Sequence, residues 1–167
     1  MEHTQLRTAV QAAEAYCQAI ERAVTSDDPH FLQELFVRLA ELYPYVAAIA
    51  NRPALLQVES VNADMVAVST YEEARAVERS LAARIGSRDF YHEFFDPFDE
   101  TSAVSTTLSD DLSDIYGDVL GALRINDVAA TASDVATAAE LVESFRLHWG
   151  MHAIDALRAM HRLVLEN

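Results

Sequence analysis

Apolar residues recur at intervals of three and four along most of this chain, the spacing that puts them on one face of an α-helix. Leu6, Val10, Ala13, Cys17, Ile20 and Val24 form the first series, with Glu14, Glu21 and Arg22 on the opposite side. The spacing predicts an amphipathic helix from about Gln5 to Val24. Ser26-Asp27-Asp28-Pro29 closes it and opens the next, with Asp28 as N-cap and Pro29 in the first turn. Phe31, Leu35, Phe36, Leu39 and Leu42 carry a second helix to Pro44, where a missing donor and a steric clash should kink or stop it. Beyond the Asn51-Arg52-Pro53 break, residues 51–69 show no clean period and leave room for a short extra helix. Thr70-Tyr71-Glu72-Glu73 reads as a capping box and Gly86 as the residue that ends a third helix.

Residues 87–108 break the pattern and are expected to be irregular and aromatic, with Phe90, Tyr91, Phe94, Phe95 and Phe98 close together. Ser109 should cap a fourth helix from about Asp110 to Arg124. Ser133 should cap a last helix running almost unbroken to Leu165. Together these elements predict an all-α chain: a single-domain helical bundle of about five main helices over residues 1–167.

The last helix carries two apolar flanks when read as a wheel. Leu141, Val142, Phe145, Trp149, Ala156, Met160 and Leu163 form one; Leu147, Met151, Ile154 and Leu165 form the other. Two flanks predict a helix packed on both sides at the centre of the bundle. Between them lie His148, His152 and Asp155, spaced i, i+4, i+7 on one face. Asp111, Asp114 and Asp118 repeat that geometry on the fourth helix. Buried polar groups need partners, so the two stripes are expected to meet in one cluster. Gly117, Gly121 and Gly150 fall inside these same two helices, at a cost of roughly 1 kcal/mol each relative to alanine. Close backbone approach is the gain that would offset it.

Two chemistries compete for the cluster. A hydrogen-bonded network would have each histidine donate to a carboxylate and fix the helix register, with no cofactor. A divalent metal would use His148, His152, Asp155, Asp111, Asp114 and Asp118 as its candidate ligands, since histidine pairs at i, i+4 chelate well. No glutamate sits between the histidines as in the zinc-protease motif. The network is the favoured reading.

Charge narrows the partners. The chain carries 27 acids against 12 bases, every base is arginine, and the net charge is −15. Nucleic acid is therefore excluded as a ligand, because phosphate binding needs a basic stripe. No apolar run approaches the roughly 20 residues needed to cross a bilayer. The N-terminal residues lack a secretory layout, which gives a cytoplasmic expectation. Lone Cys17 excludes an internal disulfide and reads as a buried thiol. An acidic surface suits a basic protein partner or, if an apolar patch overcomes repulsion, a homodimer. Phe95 and Phe98, rimmed by Asp96, Asp99 and Glu100, are the candidate anchors.

Asp114-Ile115-Tyr116-Gly117-Asp118 followed by His148-Trp149-Gly150-x-His152-x-x-Asp155-Ala156-Leu157-Arg158-Ala159-x-His161 resembles a bacterial family catalogued as domain of unknown function 5063. The resemblance spans about residues 90–165, including the Phe94-Phe95-Asp96-Pro97 turn. Gly117 stands where the family pattern leads one to expect a larger polar residue. The resemblance implies that these polar positions form one unit, and it carries no activity. The functional expectation is a small acidic binding or accessory protein engaging another protein. The alternative is a metal-dependent hydrolase acting on a phosphoester or nucleotide.

Overall fold

The computed structural model describes residues 2–52, 64–94, 98, 103–128 and 134–165. Helices α1 (Glu2–Thr25) and α2 (Phe31–Ala50) form the first antiparallel pair, and α3 (Asp64–Ile85) follows. A short antiparallel hairpin of β1 (Phe90–Phe94) and β2 (Ala103–Thr107) leads into α4 (Leu108–Val128). The chain ends with α5 (Asp134–Ser144), a single π-helical turn at Phe145–Trp149, and α6 (Gly150–Leu165). The architecture is the expected all-α bundle, with α5 and α6 forming one helical run.

Residues 87–108 correct the sequence reading. Expected to be irregular, their described part is a 3-10 turn followed by the two strands, paired from Phe90↔Thr107 to Phe94↔Ala103. Alternation explains the strand: Tyr91 and Glu93 turn toward the helices while Phe90 and His92 stay exposed. Four helix ends also differ from expectation. Asp28 accepts the His30 N–H at 2.9 Å, and α2 starts two residues later than Pro29 suggested. Pro44 does not stop α2, because Leu39, Leu42, Val46 and Ile49 are fully packed on both sides of it. Thr70 lies inside α3 instead of capping it. Gly86, at φ +65°, does end α3 as read. The start of α4 is held by Thr107, whose hydroxyl accepts the Asp110 N–H at 3.3 Å, and not by Ser109. Buried Asp89 completes that cap by accepting both the N–H and the hydroxyl of Ser109, at 2.8 and 2.7 Å.

Helix α4 occupies the centre, packed against α1, α3, α5 and α6. This overturns the expectation that the last helix is central. Its first flank is buried through Leu141, Val142, Trp149, Ala156 and Met160, but Leu147, Met151, Ile154 and Leu165 face solvent. Long-range bonds tie the layers together. Tyr16 of α1 donates to the Leu112 carbonyl of α4 at 3.0 Å inside the core. Arg84 at the end of α3 donates to the Ala23 and Asp28 carbonyls and stacks 3.9 Å above the Phe31 ring, closing the α1–α2 corner. Gly117 lets α4 approach α3, where an added Cβ would meet the Ala74 Cβ at 3.2 Å. No described helix is long and apolar enough to cross a membrane.

Candidate functional site

Helices α4 and α6 lie side by side, and their polar stripes face each other. His152 Nδ1 is 2.8 Å from Asp111 Oδ1. One turn earlier, His148 Nδ1 is 2.8 Å from Asp118 Oδ2. A carboxylate only accepts, so each bond places the imidazole proton on Nδ1 and leaves a lone pair on Nε2 in the neutral ring. Both Nε2 atoms face one oxygen: Asp114 Oδ2 lies 3.9 Å from that of His148 and 3.8 Å from that of His152. These separations are too long for hydrogen bonds. The two rings stand edge-to-face with centroids 4.7 Å apart. One ligand atom from each of Asp114, His148 and His152 falls within 4.8 Å of the others.

Asp111 anchors the arrangement. It is 1% exposed, and Tyr91 donates its hydroxyl to Oδ2 while His152 occupies Oδ1. The hairpin thereby closes over the buried end of the cluster. Asp155 shares the face but does not join the three converging groups; its carboxylate lies 3.4 Å from Arg158, which also donates to the His92 carbonyl at 3.0 Å. The pKa of His152 is raised, chiefly because Asp111 accepts its Nδ1 proton. Those of Asp114, Asp118, Asp155 and Glu93 are raised by desolvation first.

Of the residues read from sequence, Asp111, Asp114, Asp118, His148 and His152 come together, and Asp155 sits at the edge. Among the aromatic anchors, Phe98 is 95% exposed, while Phe95, Asp96, Asp99 and Glu100 lie outside the described residues. Tyr91 escaped the sequence reading, though strand alternation through Phe90–Phe94 was its available signal. Tyr116, in the same motif, is buried and stays out of the cluster, its hydroxyl donating to Glu21 Oε1 at 3.4 Å.

The donor set can hold a divalent cation. Two imidazole nitrogens and one carboxylate oxygen are a common set for zinc and neighbouring metals. Bonds of about 2.0–2.1 Å at tetrahedral angles place ligand atoms roughly 3.3 Å apart, so the three groups would draw together from separations of 3.8 Å, 3.9 Å and up to 4.8 Å. The two Nδ1–carboxylate bonds are of the kind that orients histidines in proteins that do bind metal.

The fold recurs in a crystal structure of protein BF1032 from Bacteroides fragilis. It superimposes with a TM-score of 0.72 at 20% identity, covering 98% of this chain and 94% of that one. No curated protein matches the sequence. The family described as "Domain of unknown function (DUF5063)" matches residues 2–166, well beyond the C-terminal half that carries the motifs, and the chain belongs to that family.

Proposed function

We propose that this chain is a binding protein whose His148–His152–Asp114 face takes a divalent transition-metal ion. One observation carries the reading: two hydrogen bonds fix both histidines on the Nδ1–H tautomer and leave both Nε2 lone pairs facing the same carboxylate oxygen. The two outer hydrogen bonds leave these inward nitrogens outside hydrogen-bond range of Asp114, so a ligand at the centre would meet all three groups. Imidazole and carboxylate together suit zinc and neighbouring metals better than calcium or magnesium, which prefer all-oxygen shells. Three protein ligands leave at least one coordination position open. Calorimetric titration of the metal-free protein with Zn2+ tests the reading. One ion per chain is expected, lost in His148→Ala and His152→Ala. Unchanged binding in both variants would defeat it.

A second reading, as accessory to another protein, draws on α6. Leu147 and Met151 are 75% and 55% exposed beside the histidines, with Ile154 continuing the stripe. Apolar side chains exposed in a row are characteristic of contact surfaces. Affinity capture from the native host with wild type and Met151→Asp tests this, with a specific partner lost in the variant.

A further inference from the structure

A metal at this site would sit in a strongly negative setting. Asp118 and Asp111 touch the two histidines directly. Asp110 lies four residues before Asp114 on α4 and acts on its charge. Glu93 of β1 and Asp155 of α6 act on Asp111 and on His152. Among the described groups facing the centre, Arg158 is the cation, and it is already engaged by Asp155 and the His92 carbonyl. Five carboxylates beyond Asp114 thus outweigh one arginine, and the two positive charges of a bound ion do not reverse the sign.

Resting on the metal reading, we infer that the open coordination position takes an uncharged nitrogen donor of the imidazole class and turns away phosphates. Two features select it. The surrounding carboxylates repel an incoming anion while leaving a neutral donor indifferent. Leu147 and Met151 stand exposed together on one flank of the His148–His152 stripe, an apolar surface that a flat heterocycle can use and a phosphate cannot. The donor's source, a free heterocycle or a histidine on another protein, shares this chemistry. A phosphoester hydrolase would need the opposite field: cationic groups around the metal that stabilise developing negative charge.

The test uses full-length protein loaded with one equivalent of Co2+, whose visible absorption responds to a new ligand. Imidazole, a neutral peptide carrying one histidine, and inorganic phosphate are titrated in parallel. Phosphate is expected to bind at least about tenfold more weakly than imidazole. Raising the salt concentration should narrow that gap, since screening relieves repulsion. Asp110→Asn and Glu93→Gln, neither a ligand in this scheme, should strengthen phosphate binding several-fold and leave imidazole unchanged. Tighter binding of the peptide than of imidazole identifies a protein-borne donor; the reverse identifies a free heterocycle. Phosphate binding as tight as imidazole, or a gap indifferent to salt and to both variants, overturns the inference while leaving the metal reading intact. Failure to load Co2+ removes both.

Discussion

His152 and Asp111 share a 2.8 Å hydrogen bond across the α4–α6 interface, and their exposures differ: Asp111 is sealed in the core while His152 reaches solvent. The buried partner has no water to fall back on. Removing the imidazole strands Oδ1 of Asp111, just as removing the Tyr91 hydroxyl strands Oδ2.

His152→Leu is therefore expected to destabilise the protein by about 1–3 kcal/mol, and Tyr91→Phe by a similar amount. For a chain of this size each kcal/mol lowers Tm by roughly 2–4 °C. Because both bonds end on one carboxylate, the double variant should depart from additivity by at least about 0.5 kcal/mol. Strict additivity in denaturant unfolding would show that the two bonds act separately.

Metal-free protein should become more stable on mild acidification. His152 has a raised pKa, so its contribution is complete below about pH 6.5 and is lost as pH climbs through its folded value. Asp114, Asp118, Asp155 and Glu93 are raised too. Each contributes most below its unfolded value near pH 4 and loses that contribution as pH rises. All five slopes share one sign, so Tm should be higher near about pH 6 than near about pH 8. His152→Leu should flatten the upper part of that slope. A rise in Tm with pH over this interval would contradict the assignment.

Metal should reverse the trend. Zn2+ at about 100 times its Kd adds roughly 2.7 kcal/mol of stability. Protons compete for His152, so this increment should grow from acidic to alkaline pH and vanish in His148→Ala. Thermal melts with Zn2+ and with chelator, run in parallel across pH, measure it directly.

Two glycines should respond differently to alanine. A Cβ on Gly150 would run into the Phe145 carbonyl oxygen and approach the Phe145 ring at 3.1 and 3.2 Å, closing on the π turn itself. Gly150→Ala is expected to cost about 1–3 kcal/mol and to weaken metal binding by moving His148. Gly117→Ala meets a single methyl at 3.2 Å and gains up to about 1 kcal/mol of helix propensity, so its net effect should be small. Equal losses at both sites would refute the distinction.

Periodicity made the helices and the two polar stripes readable, because a face of i, i+4 and i+7 positions survives translation into coordinates. Pairing followed from the need of buried Asp111 for a partner. What periodicity cannot express is which side of a helix meets protein. Leu147, Met151 and Ile154 are as apolar as Leu141 and Met160, yet only the latter two are covered, since α4 holds the centre. The hairpin was hidden for another reason. Its aromatic composition imitates a core segment, and its cap contact, Asp89 to Ser109, spans twenty residues that no local signature connects.

Cys17 lies in the α1 face of the core, and burial, then the neighbouring Glu21, pushes its thiol well above the ordinary range. Buried and protonated, it is closed to alkylating reagents until α1 lifts away from its neighbours. The chain holds one cysteine, so the rate of modification reports a single event. When reclosing outpaces the reagent, each tenfold slowing corresponds to about 1.4 kcal/mol of added stability. The fold thus carries its own clock for opening, placed on a different helix from the polar centre and able to time ligand binding there without any introduced label.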